Sequence, residues 1–174
     1  GLTGSGKTER LLQMQSEGEQ VIDLEGLANH KGSAFGGLGM PPQPSTEHFE
    51  NLLFQAFSQL DPLCPVWVED ESRNVGKCSI PKGLWERMQQ AEFHLLETPT
   101  EIRIERLMQE YAGFMPSLLS ESILKIEKRI GYDKCHQALE ACHHGDLRMA
   151  LGICLAYYDK SYTSQIETRL KSNK

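Results

Sequence analysis

Apolar and polar positions follow two periods along this chain. From Lys7 to about Gln15, the apolar residues Leu11, Leu12 and Met14 fall on one side of a helix whose exit is marked by Gly18. Gln20-Val21-Ile22-Asp23-Leu24 reads instead as a short buried strand ending in acids. Phe49, Leu52, Leu53, Ala56 and Phe57 return to helical spacing, which predicts a helix from about Thr46 to Leu60, capped by Ser45 and stopped by Asp61-Pro62. Pro65 to Val68 is a second buried strand, and a helix from about Lys82 to Gln90 leads to a third, Glu92 to Glu97. Thr98-Pro99-Thr100-Glu101 carries the signature of a capping box with proline at the first helical position. After Gly113 the strand pattern stops. Pro116 to Ile130, Tyr132 to His144 and Asp146 to Asp159 read as three helices separated by Gly131 and Gly145, with Leu118, Leu119, Ile123, Ile126, Leu139, Met149 and Leu155 as buried positions. The expected fold class is therefore α/β: a parallel sheet with helices over residues 1–113, and an all-helical extension, 114–174, packed on it.

Residues 26–44 break both periods. They hold five glycines and three prolines, too many for a helix or a central strand, and carry His30, Lys31, Ser33 and Phe35 among them. A loop of this length inside a compact domain is usually functional or disordered. Glycines alternating with polar and aromatic residues suit close approach to a ligand, which favours the functional reading.

Composition narrows the class without choosing a function. The 174 residues suffice for one domain, or one with a small appendage; 39% hydrophobic and 24% charged residues, with no apolar run near eighteen, describe a globular protein without a membrane span. The five cysteines (64, 78, 135, 142 and 154) form no C-x-x-C pair and no zinc-binding pattern, which suits a reducing cytoplasm. A net charge of −6 argues against a large nucleic-acid footprint, so any contact with a polyanion calls for a local basic surface.

The chemistry concentrates at the start of the chain. Gly1-Leu2-Thr3-Gly4-Ser5-Gly6-Lys7-Thr8 satisfies the P-loop pattern, G-x-x-x-x-G-K-[ST], and an amphipathic helix follows it. Gly4, Ser5, Gly6, Lys7 and Thr8 are the expected phosphate-binding residues: backbone N–H groups converge on the anion at a helix N-terminus, Lys7 adds a charge, and the Thr8 hydroxyl holds Mg²⁺. A P-loop is fed by a buried strand, and no apolar run stands ahead of residue 1, so the first strand is expected in a longer protein. Asp23 and Glu25 sit at the C-terminal end of the first predicted strand, and Glu69, Asp70 and Glu71 at that of the second, the ligand edge of an open α/β sheet. Glu69 or Asp70 is expected to assist catalysis beside Lys7, with Asp70 and Thr8 as metal ligands and Glu71 left open. Arg73 and Lys77 put cations on the same edge. Arg103 and Arg106, three apart on a helix, either reach a bound phosphate or pair with Glu101, Glu105 and Glu110 on the surface.

Several stretches together resemble one family. Gly1 to Thr8, Asp-Leu-Glu-Gly-Leu-Ala-Asn-His-Lys-Gly-Ser-Ala-Phe-Gly at 23–36, Pro-Gln-Pro-Ser at 42–45, Val-Glu-Asp-Glu-Ser-Arg at 68–73 and Tyr-Tyr-Asp-Lys-Ser-Tyr at 157–162 are similar to the P-loop half of bacterial tRNA 2-selenouridine synthase. The resemblance implies an enzyme that replaces sulfur by selenium in wobble 2-thiouridine of tRNA, using selenophosphate and passing through an S-geranylated intermediate made from geranyl diphosphate. It also implies an upstream rhodanese-like domain that carries the catalytic cysteine, a role none of the five cysteines here inherits. The anticodon region of tRNA is then the expected partner. Asp23, Glu25, His30, Lys31, Ser33, Phe35, Arg73, Lys77, Arg103, Arg106, Tyr158 and Tyr162 are the candidate substrate contacts, with Tyr157 as a further aromatic. Two other functions fit the residues alone. One is a small-molecule kinase or NTPase with Arg103 and Arg106 as lid-like cations; the other is an interaction module whose P-loop is a relic.

Overall fold

The computed structural model describes residues 1–172, and its chain divides into two compact units: Lys7–Glu92, and Gly1–Gly6 together with the chain from Phe93 onward. The expected boundary at Gly113 is not where these units part. The helix after Pro99 groups with the C-terminal helices, and the glycine-rich loop is divided between Gly6 and Lys7.

The unit Lys7–Glu92 contains α1 (Lys7–Ser16), β1 (Gln20–Ile22), α2 (Leu24–Ala28), α3 (Thr46–Ser58), β2 (Val66–Val68), β3 (Asn74–Val75), β4 (Cys78–Ser79) and α4 (Lys82–Gln90). β1 and β2 pair in parallel, with Gln20 opposite Val66, Val21 opposite Trp67 and Ile22 opposite Val68. Side chains on a strand alternate between faces, so the pair is buried on both sides. Val21 and Trp67 pack with Leu11 and Met14 of α1. Ile22 joins Leu24, Ala28, Phe49, Leu53, Val75, Cys78, Ile80 and Met88 on the other face, with Val66 and Val68 against them. Phe49 and Leu24 are fully buried, each worth about 1.5–3 kcal/mol relative to exposure. α3 starts as its sequence predicts, with the Ser45 hydroxyl accepting from the His48 N–H at 3.1 Å.

Two expectations are corrected here, and one element is added. β1 ends at Ile22, because Asp23 accepts the Gly26 N–H at 2.7 Å and caps α2; the predicted loop thus opens with a helical turn. Residues 74–79, to which the sequence pattern assigns no element, form an antiparallel hairpin with Asn74 opposite Ser79 and Val75 opposite Cys78. The Gln43 side chain stitches that hairpin to α2: its Nε2 donates to the carbonyls of Ala28 and Val75, each at 3.0 Å, and its Oε1 accepts the Lys77 N–H at 2.9 Å. Finally, Glu92–Glu97 has no strand pairing among the described residues, since an apolar run becomes a strand only where a neighbour completes its hydrogen-bond ladder.

In the other unit, the loop Gly1–Gly6 accompanies α5 (Thr100–Tyr111), α6 (Pro116–Leu124), α7 (Glu127–Ile130), α8 (Tyr132–His143) and α9 (Leu147–Ser172). The helix expected over 116–130 is two, because the chain bends at Lys125 and Ile126 while keeping Ile123 and Ile126 buried; an apolar period does not register such a bend. α9 runs past Asp159 to Ser172, with the Asp146 carboxylate accepting the Met149 N–H at its start. The capping box does not form. α5 begins at Thr100 with no side-chain cap, and the Thr98 hydroxyl donates to the Ser5 carbonyl at 3.0 Å.

Candidate functional site

Within Lys7–Glu92, α1, α2 and the turn after β2 bring carboxylates and a hydroxyl together. Thr8, in the first turn of α1, donates to Glu69 Oε1 at 2.7 Å. Glu69 follows β2 and is 3% exposed; Glu25, in the first turn of α2, is 9% exposed. Oxygens of Glu25, Glu69 and Glu71 lie within 4.8 Å of one another, close enough to share one metal ion. Asp70, expected as the ligand, is exposed and outside this trio. The Glu71 N–H donates to the Glu69 carbonyl at 2.8 Å, a tight turn with Asp70 at its apex, so Glu69 and Glu71 reach the same site and Asp70 does not.

The trio is electrostatically loaded. Burial, reinforced by the charges of Glu69 and Glu71 and opposed by Lys7, pushes the Glu25 carboxyl up to about 9. Burial also raises Glu69, against the Thr8 hydrogen bond and Lys7, and raises Glu71, against Lys7. Three carboxylates beside one ammonium carry surplus negative charge that a low-dielectric site does not hold unaided. A proton or a cation must share it. The residues fit a hard divalent cation: all donors are oxygens, and Glu69 Oε2 is buried without a hydrogen-bond partner. Thr8, Glu69, Glu25 and Glu71 would hold it.

The His30–Ser33 segment borders the trio. A Cβ on Gly32 would lie 2.8 Å from Glu71 Oε2 and 3.0 Å from Glu25 Oε1, so glycine lets the backbone close on the carboxylates there. The segment is tied by its own bonds, Lys31 N–H to the Gly36 carbonyl at 2.9 Å and Phe35 N–H to the Ser33 hydroxyl at 3.2 Å. Lys31 is exposed and the His30 ring packs against Gly36. Phe35 is 5% exposed and presents no face for base stacking, a correction to its expected role. Asp23 caps α2. Arg73 and Lys77 lie exposed before and within the β3–β4 hairpin.

In the other unit, Arg103 and Arg106 both hold carbonyls of the glycine-rich loop. Arg103 is 2% exposed, donates from Nε to the Thr3 carbonyl at 2.8 Å and forms a two-pronged pair with Asp159. Arg106 donates to the Ser5 carbonyl at 2.7 Å. Glu101 and Glu105 pair with Arg148 instead. Tyr158 is 8% exposed, its ring against Tyr157 and stacked on the half-buried Tyr162, so packing claims the tyrosines expected to stack on bases. Sequence reasoning missed Gln43 and Asp159. Each stood in a stretch that carried the resemblance, the only signal available.

A glycine-rich loop leading into α1, a parallel strand pair covered on both faces and an acid at a strand end hydrogen-bonded to the loop's threonine define a P-loop, AAA-type domain. The family model of the tRNA 2-selenouridine synthase AAA domain matches residues 1–173, and the chain belongs to that family. It is 35% identical to the tRNA 2-selenouridine synthase of Shewanella frigidimarina over 97% of this chain and 53% of that protein. The enzymes of the same name from Shewanella woodyi and Shewanella loihica are 35% and 36% identical, covering 97% and 95% of this chain and 53% and 52% of theirs. The chain thus spans about half the length of the curated relatives it matches. No solved structure matches it. No helix among the described residues is long and apolar enough to cross a membrane.

Proposed function

We propose that this chain is the phosphate-handling part of a transferase that converts wobble 2-thiouridine of tRNA to 2-selenouridine. Family membership supports the tRNA-modifying role, and the observation that carries the site is the Thr8–Glu69 hydrogen bond beside Glu25 and Glu71. Gly4, Ser5, Gly6, Lys7 and Thr8 bind the phosphates of geranyl diphosphate or selenophosphate through amides, the Lys7 charge and the Thr8 hydroxyl. Thiouridine sulfur takes the geranyl group as the geranyl carbon–oxygen bond to diphosphate breaks; selenium of selenophosphate then bonds the base carbon as geranyl thiolate leaves, and water cleaves the phosphorus–selenium bond to release phosphate. Lys7 neutralises charge that builds on the departing diphosphate. Mg²⁺, when bound by Thr8, Glu69, Glu25 and Glu71, supplies further countercharge to the phosphates. Asp70 and Arg73 stand on the exposed side of the same turn, Arg73 and Lys77 offering cations to tRNA phosphates.

The reactive thiol is assigned to a rhodanese-like segment of the longer protein. Cys78, Cys135, Cys142 and Cys154 are buried, and Cys64, though exposed, has its thiol pushed up chiefly by the Asp61 charge, the reverse of a thiolate nucleophile. Cys78, which follows Lys77, is sealed in the core with its thiol raised by burial.

Calorimetry with geranyl diphosphate and with Mg-ATP tests the reading. Geranyl diphosphate should bind, and Lys7→Ala should weaken it by about tenfold or more, the loss of one charge-assisted contact. Tight Mg-ATP binding with turnover would favour the kinase or NTPase reading, for which the same Thr8–Glu69 pair speaks.

A further inference from the structure

The carbonyls of the glycine-rich loop are held from one side. Thr3 C=O accepts from Arg103 Nε at 2.8 Å, and Ser5 C=O accepts from Arg106 at 2.7 Å and from the Thr98 hydroxyl at 3.0 Å. Arg103 is 2% exposed, and Asp159 of α9 neutralises it through both carboxylate oxygens, so its Nε direction is set by a two-pronged clamp. α5 also lies directly against the loop: a Cβ on Gly4 would come 3.1 Å from the Arg103 carbonyl.

No peptide bond here is cis, and in a trans peptide plane the C=O of one residue and the N–H of the next point in opposite directions. Turning the Thr3 and Ser5 oxygens toward α5 therefore turns the Gly4 and Gly6 N–H groups away from it. The Ser5 N–H is already committed to the Leu2 carbonyl at 3.1 Å, so Gly4 and Gly6 supply the outward amides of this loop. We propose that Arg103, its counter-ion Asp159, and Arg106 are positioning residues for phosphate capture: they tether the loop's carbonyls to α5 and thereby aim the Gly4 and Gly6 amides at the anion. This gives Asp159, within the Tyr-Tyr-Asp stretch, a function beyond packing. A loop whose amides are pre-aimed does not have to be ordered when the anion arrives, and affinity rises accordingly.

The inference rests on the reading of the loop as a phosphate site, and the test separates the two. Inorganic diphosphate is titrated into the full chain, with affinity read by calorimetry and the Gly4 and Gly6 amides followed by ¹⁵N-glycine NMR. Arg106→Gln, Arg103→Lys and Asp159→Asn should each weaken diphosphate by about tenfold, the scale of one lost charge-assisted contact, and abolish the shift of the two glycine amides. Ile123→Ala, a core deletion in the same unit, should lower the melting temperature and leave diphosphate affinity within about twofold, because its effect is confined to stability. Should Asp159→Asn or Arg103→Lys fail to fold, Arg106→Gln decides. Parent-like affinity in Arg106→Gln, alongside weakened binding in Lys7→Ala, would overturn the positioning role alone. Absence of diphosphate binding in the parent, or parent-like binding in Lys7→Ala, would overturn the phosphate site and the positioning role together.

Discussion

Replacing Gly6 by alanine separates a conformational cost from a contact cost in one step. Gly6 has φ +85°, and a Cβ there would lie 2.6 Å from one terminal nitrogen of Arg106 and 2.9 Å from its guanidinium carbon. The left-handed conformation alone costs an L residue about 1–2 kcal/mol. Displacing Arg106 breaks its hydrogen bond to the Ser5 carbonyl, worth about 1.5–3 kcal/mol, toward the low end because the half-buried guanidinium finds water. Together Gly6→Ala should cost about 3 kcal/mol. Gly145, in the same unit, has φ +79° with nothing within 4 Å of an added Cβ, so Gly145→Ala should show the conformational cost by itself, about 1–2 kcal/mol. Urea denaturation resolves the pair, and the chain carries its own reporters: all five tyrosines lie in the unit containing Gly6, and both tryptophans lie in the other. The tyrosine signal should shift and the tryptophan signal should not. In the background of Arg106→Ala, Gly6→Ala should fall to the cost seen at Gly145, because the contact can be lost only once. Equal costs for Gly6→Ala and Gly145→Ala, or full additivity with Arg106→Ala, would refute the account of Arg106 as a lid on this glycine.

Three further outcomes are expected. In EDTA, stability should be highest near pH 5 and decline toward pH 9: the folded Glu25 carboxyl holds its proton to about 9 while the unfolded one releases it near the ordinary glutamate value, so the folded chain binds the extra proton and loses up to about 1.4 kcal/mol per pH unit across that window. Thermal melts of Glu25→Gln should show a flatter profile, and an unchanged slope would count against a protonated Glu25. Iodoacetamide on the native chain, read by mass spectrometry, should label Cys64 slowly and leave Cys78, Cys135, Cys142 and Cys154 untouched until denaturant is added; rapid labelling of Cys78 would show a reactive thiol where the structure buries one. Tyr158→Leu should lower the stability of its unit by about 1–3 kcal/mol through lost packing and ring contacts, with diphosphate affinity kept; destabilisation below that range would return Tyr158 to the list of base-stacking candidates.

Much of this protein is local, and local features were legible in the order of residues. The P-loop pattern needs only glycines and Lys-Thr at fixed spacing; the Ser45 cap, α4 and the burial of Phe49 and Leu53 on α3 need only neighbours within a turn or two, whereas Phe57, at the same spacing, is exposed. The parallel pairing of β1 with β2 also followed, since an intervening helical stretch leaves a strand no short antiparallel return. What failed were statements that depend on a partner distant in the chain. The Thr98 hydroxyl had a cap available three residues on and took a carbonyl 93 residues away. Glu92–Glu97 had the composition of a strand and, among the described residues, no ladder to join. Arg103 and Arg106 read as surface or ligand-binding cations until folding brought the Asp159 carboxylate and the loop's own carbonyls to them. Among three adjacent acids, the tight turn closed by the Glu71 N–H on the Glu69 carbonyl brought Glu69 and Glu71 to the buried site and left Asp70 in solvent, and Glu25 joined them from α2. Backbone preference is decided by a residue and its near neighbours. The charge state and use of a polar side chain are decided by whatever desolvates it, and only the tertiary structure supplies that.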